Sequence, residues 1–128
     1  MIPKWKEILK QEVTYSVDKN NEETDIVAFL DGSKVGYINT SHKGLNPSNE
    51  YMFARFPESK GQVTIQDIHV SERARGKGVG KGLLDRLIQE LPMDATNFSG
   101  KALTPEAKSF WQKMGFNVSG DTISRKIR

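Results

Sequence analysis

The chain has 128 residues, 36% hydrophobic and 27% charged, with a net charge of +3 and no cysteine. This suits one soluble globular domain over residues 1–128, large enough to bury a core, and it excludes disulfides, thiolate metal sites and a cysteine nucleophile. The longest purely apolar run, Ile26 to Leu30, is far short of the roughly 20 residues that span a bilayer. No basic-plus-apolar leader opens the sequence, so a cytoplasmic location is the default expectation.

Trp5, Ile8 and Leu9 fall at helical spacing after Pro3 and predict a short amphipathic helix over 3–11. Val13 to Val17 alternates as a strand, and polar Asp18 to Thr24 reads as a turn. Ile26 to Leu30 and Val35 to Ile38 flank Asp31-Gly32, a hairpin signal. Residues 40–50 read as a loop, and Tyr51 to Phe56 as a further short strand. Val63 to Val70 is the strongest strand, apolar at Val63, Ile65, Ile68 and Val70, and its period slips at Asp67-Ile68, where a bulge is expected.

From Gly78 the period becomes helical. Val79, Leu83, Leu84, Leu87, Ile88 and Leu91 share a face, and Pro92 ends the helix. Thr96 to Phe98 predicts a brief strand. Thr104 is a good N-cap, Pro105 suits the first helical position, and Gly115 closes the helix that carries Ala107, Phe110, Trp111 and Met114. Phe116 to Val118 and Thr122 to Ile127 flank Ser119-Gly120-Asp121 as a last hairpin.

The chemistry concentrates where the strongest strand feeds the glycine turn. Strand, glycine loop and helix N-terminus is an arrangement that holds phosphate, because backbone N–H groups point outward and the helix dipole favours negative charge. Arg73, Arg75, Lys77 and Lys81 add cations. A ligand bearing a pyrophosphate fits better than a long nucleic-acid footprint, which needs a broader basic face. The two histidines, His42 and His69, are too far apart in sequence for a local zinc motif.

Glycine spacing narrows the ligand. The magnesium-nucleotide loop needs G-x-x-x-x-G-K-[ST], but Gly76 is one residue too close to Gly80-Lys81, and Gly82 replaces the hydroxyl residue. The dinucleotide fingerprint needs a third glycine where Lys81 stands. Arg75-Gly76-Lys77-Gly78-Val79-Gly80 does fit R-x-x-G-x-G, and Phe110-Trp111-Gln112-Lys113-Met114-Gly115-Phe116 fits F-Y-x-x-x-G-F apart from its tryptophan. In these two motifs, in this order, residues 62–118 resemble the GNAT superfamily of acetyl-CoA-dependent N-acetyltransferases.

That resemblance implies an α+β fold: a mixed, mostly antiparallel sheet splayed between two central strands and flanked by helices. It implies acetyl-CoA as cosubstrate and no metal. Backbone groups of Ile68, His69 and Val70 would meet the pantetheine arm. Arg75, Gly76, Lys77, Gly78, Val79, Gly80 and Lys81 would cradle the pyrophosphate. Asp67 would accept the proton of an attacking primary amine, which is protonated at neutral pH. His69 is the alternative base, Gln66 could orient a water instead, and an ion pair with a loop arginine is the alternative role for Asp67. A backbone N–H near Ile68 would serve the oxyanion.

Two positions depart from the family. Trp111 stands where relatives carry a tyrosine acid, and indole cannot donate a catalytic proton; Ser109, Tyr37 or Tyr51 are possible substitutes. Thr104 stands where relatives often carry asparagine. A non-catalytic coenzyme A or anion-binding domain is the rival reading. The acceptor, a small amine or a protein lysine or N-terminus, is unread, and Tyr51, Phe53, Phe56 and His42 are candidates for its wall. No membrane or nucleic-acid partner is expected, and a homodimer is left open.

Overall fold

The computed structural model describes residues 12–42 and 61–127. The expected helix over 3–11, the strand at Tyr51 to Phe56 and most of the loop over 40–50 lie outside these residues.

Three antiparallel strands come first: β1 (Val13–Lys19), β2 (Glu23–Leu30) and β3 (Ser33–Ser41). The β1–β2 turn is tighter than the polar run Asp18 to Thr24 suggests. Asn20 explains this, because its Oδ1 accepts from the backbone N–H groups of Glu22 and Glu23 at 2.8 and 2.9 Å. That side-chain turn closes the hairpin in three residues. At the β2–β3 turn, Asp31 and Gly32 have φ of 51° and 81°, the pair of positive values that matches strand twist.

Strand β4 (Gln62–Val70) pairs antiparallel with β3. Asn39 faces Asp67 and Thr40 faces Ile65, so Gln66 is the unmatched residue. The bulge therefore falls one residue before the expected Asp67-Ile68. It turns Ile65 inward while leaving Asp67 exposed. A short 3-10 turn (Glu72–Ala74) leads to helix α1 (Val79–Glu90), followed by β5 (Asn97–Lys101), α2 (Pro105–Lys113), β6 (Asn117–Ser119) and β7 (Thr122–Lys126).

The seven strands form one sheet in the order β1-β2-β3-β4-β5-β7-β6. All neighbours are antiparallel except β4 and β5. These two pair only from Gln62 to Thr64 against Asn97 to Ser99, then separate. This is the expected α+β architecture with a splay between its central strands. Strand β5 is longer than the brief one expected at Thr96 to Phe98. Its full length is set by the ladder with β7, and Asn97, Ser99 and Lys101 carry no apolar signal.

Helix α1 covers one face of the first four strands. Its Val79, Leu83, Leu84 and Leu87 are buried together with Ile26, Ala28, Val35 and Ile38. Burying each of the Val, Leu and Ile side chains contributes about 1.5–3 kcal/mol. Leu91 ends the helix, its N–H bonded to the Leu87 carbonyl at 3.0 Å, and Pro92 cannot continue the ladder. A second aromatic cluster closes the other half. Phe116 stacks on Phe98 at 5.8 Å and meets Trp111 at 4.7 Å between ring centres. Helix α2 starts as expected, with the Thr104 Oγ1 accepting from the Ala107 N–H at 3.1 Å and Pro105 in its first turn.

Candidate active site

The splay leaves the end of β4 open along one edge. Pairing with β5 stops at Thr64 and Ser99, so the backbone of Ile68 to Val70 borders a gap. A cleft of about 620 Å³ occupies this gap, between the end of β4, the start of α1 and one face of α2. Two hydrogen bonds hold the rim in place. The Ser71 N–H donates to the Val35 carbonyl at 2.7 Å, and Arg75 Nε donates to the Val70 carbonyl at 3.2 Å. Ala74 is fully buried beneath the turn.

The glycines shape what lies in front of α1. Gly76 and Gly78 have φ of 78° and 76°, a region that costs a residue with a Cβ about 1–2 kcal/mol. A Cβ at either would meet no atom within 4 Å, so the space before the loop is clear. Gly80 answers a different demand. A Cβ there would lie 2.8 Å from a ring carbon of Phe110, so glycine lets that ring sit close against α1 at the cleft. The first backbone bond of the helix runs from the Gly82 N–H to the Gly78 carbonyl at 2.9 Å. The N–H groups before it are the helix's free donors, and they carry the positive end of its dipole.

Ile68, His69, Val70, Arg75, Gly76, Gly78, Val79, Gly80 and Lys81 all line this cleft. Lys77 does not. It instead lines a smaller recess of about 210 Å³ with Leu30, Asp31, Ser33 and Arg73. Lys81 pairs loosely with Asp85 at 3.8 Å, one helical turn on, and exposed pairs of this kind hold a side chain weakly. From α2 come Glu106, Ala107, Phe110, Lys113 and Met114. Helical spacing puts the apolar ones on one face but does not tell cleft wall from core. Trp111 also borders the cleft but is only 3% exposed, packed edge-on to Phe110 at 5.0 Å. Its position is that of a core residue.

Asp67 lies apart from this lining, exposed on β4. Its partner is not a loop arginine: among the described residues it forms no ion pair. Instead the Tyr37 hydroxyl donates to Asp67 Oδ2 at 2.8 Å. That bond, then loss of solvent and the carboxylate charge, raise the Tyr37 pKa above 10.0. The Tyr37 ring also lies 5.9 Å from the His69 ring. Sequence reading named Tyr37 only as one of three possible acids, because nothing local ties it to a residue 30 positions away.

His42 is buried, its Nε2 2.9 Å from the Thr24 hydroxyl, so among the described residues it is a core side chain. Tyr51, Phe53 and Phe56, its expected companions, lie outside those residues. No group of three His, Asp or Glu side chains suited to a metal occurs among the described residues. No helix among them is long and apolar enough to cross a membrane.

A model of the acetyltransferase (GNAT) family matches residues 2–116. The chain belongs to this GNAT family. The family uses acetyl-CoA, as the two motifs imply. No curated protein matches the sequence. Solved structures share the GNAT fold. An acetyltransferase from Thermus thermophilus superposes with a TM-score of 0.62 at 21% identity, over 82% of this chain and 64% of that one. The ribosomal-protein-S18-alanine N-acetyltransferase from Escherichia coli gives 0.60 at 16%, over 85% and 72%. The PaiA N-acetyltransferase from Thermoplasma acidophilum, in complex with coenzyme A, gives 0.60 at 16%, over 82% and 61%. The chain thus spans less than two thirds of the first and last of these proteins.

Proposed function

We propose that residues 1–128 form a single catalytic domain, an N-acetyltransferase that moves the acetyl group of acetyl-CoA to a primary amine. The observation that carries this reading is the cleft. A clear space before two positive-φ glycines meets free helix N–H donors, Arg75 and Lys81. That is a seat for a pyrophosphate, and it continues into the open backbone edge of Ile68 to Val70, which suits the amide groups of a pantetheine arm.

In the reaction, the amine nitrogen attacks the thioester carbonyl. A C–N bond forms, the C–S bond breaks, and coenzyme A leaves as its thiolate. Asp67, held by Tyr37, takes one of the two protons that the ammonium must lose, and the second passes through water to the departing sulfur. A backbone N–H near Ile68 faces the carbonyl oxygen as negative charge develops there. Trp111 supplies no acid. A thiolate with pKa near the ~8.5 of a cysteine thiol can leave unprotonated and take its proton from water. We assign the enzyme to the cytoplasm.

Buried Trp111 also fits a second reading, a domain that binds coenzyme A without turnover. Thermal unfolding with coenzyme A and acetyl-CoA tests the common part. Wild type should be stabilised and Gly78→Glu should not, because a carboxylate in the phosphate seat repels the ligand. A wild type that responds to neither ligand removes both readings. Thiol release from acetyl-CoA over a panel of amines separates them, since the binder releases none.

A further inference from the structure

On the exposed face of the β3–β4 pair, two side chains from each strand meet. Tyr37 is the cross-strand partner of His69. Its hydroxyl donates to Asp67 Oδ2 at 2.8 Å, and its ring centre is 5.9 Å from that of His69. Lys34 Nζ stands over the same ring, 5.2 Å from its centre. In register with Tyr37 and Lys34 on β2 are Val27 and Phe29, both half-buried, which give this patch an apolar floor.

The chemistry of the patch is that of an ammonium seat. The face of an aromatic ring attracts a cation, and here the ring's hydroxyl fixes a carboxylate beside it. One ammonium already occupies the ring, and it belongs to the chain itself. Among the described residues Lys34 forms no ion pair, so an exposed cation–π contact holds it there. Such a contact favours the bound position by only about two- to fivefold, which leaves Lys34 easy to displace.

We infer that Tyr37 and Asp67 form the acceptor's ammonium seat and that Lys34 is its resident occupant, which an incoming amine must displace. The acceptor is then a flexible primary alkylammonium with an apolar stem, the chemistry of a lysine side chain, carried either on a protein or on a free alkylamine. Its catalytic meaning rests on the proposed function, because there Asp67 receives a proton of the bound ammonium. The binding itself does not.

The test is a titration of the full chain followed through its imidazole NMR signals. There are two histidines. His69 borders the seat, and buried His42 on Thr24 serves as the silent control. Hexylammonium should shift the His69 signals and spare those of His42. Lys34→Met, which keeps the stem and removes the charge, should tighten binding about threefold, and Tyr37→Leu should weaken it by at least as much. A capped lysine peptide that binds more tightly than hexylammonium would assign the amine to a protein.

Any of three results overturns the seat: no His69 shift with hexylammonium, an equal shift with uncharged hexanol, or an unchanged affinity in Lys34→Met. A His69 response in a protein that coenzyme A does not stabilise would sink the proposed function and leave the seat standing. Stabilisation by coenzyme A with no His69 response would do the reverse.

Discussion

The cleft at the start of α1 and the exposed face around Asp67 share one strand, β4, yet they are built by different means. The cleft is made largely of backbone. Its edge is a strand that lost its neighbour, its floor is the free end of a helix, and its glycines are there to keep side chains out. The face is made of side chains. Tyr37 and Asp67 come from different strands and meet only because β3 and β4 pair in one register. A backbone site constrains residue types at fixed spacing, whereas a side-chain site constrains only geometry.

The largest effect expected from this contrast is kinetic. Asp67→Asn should lower turnover by about a hundredfold or more, the scale of losing a general base, while the thermal response to coenzyme A stays as in wild type. Steady-state rates beside melting curves would check this. Equal loss of both would mean that cleft and face are one unit.

Gly80→Val strikes the other region. Its Cβ meets the Phe110 ring, so that ring must shift within the cleft or α2 must move with it. Overpacking of this kind costs about 1–3 kcal/mol, to be read in urea unfolding, and coenzyme A affinity should fall with it. The hydrogen bond between Tyr37 and Asp67 should survive.

A smaller change tests whether α2 matters to the cleft through its position alone. Thr104→Ala removes the cap on the Ala107 N–H and should cost about 1 kcal/mol of stability. Acetyl-CoA KM should rise only slightly. A large rise would give Thr104 a direct contact with the ligand.

The smallest effect is a titration. Three tyrosines are present. Tyr37 is raised above 10.0 chiefly by its bond to Asp67, and Tyr15 by burial and then by Asp85. Because the folded-state pKa of Tyr37 exceeds its unfolded value, the stabilisation from its bond with Asp67 is complete below about pH 10. It is lost as pH rises through the folded-state pKa. Ultraviolet titration of Asp67→Asn should move the Tyr37 transition back toward 10 and leave that of Tyr15 in place. An unmoved pair of transitions would break the link between Tyr37 and Asp67.

How much was legible follows the same division. The hairpin at Asp31-Gly32, the face of α1 and the cap at Thr104 could be read locally, because turns, amphipathic helices and caps are short-range objects. The exact site of the bulge and the length of β5 could not, since register and ladder length belong to the partner strand. Spacing places Ala107, Phe110 and Met114 on one helix face but does not say what that face meets, because apolar side chains at helical spacing look alike whether they face a protein interior or a ligand.

The sequence by itself determined the family, the α+β class and the segment that borders the cleft, because Arg75 to Gly80 is a run of backbone requirements written in residue types. Tertiary structure decided the rest. It turned Lys77 away from the cleft, buried Trp111 against Phe110 and Phe116, and gave Asp67 the hydroxyl of Tyr37 instead of an arginine. Those outcomes depend on which side chains meet across strands and helices, and no local pattern of residues carries that information.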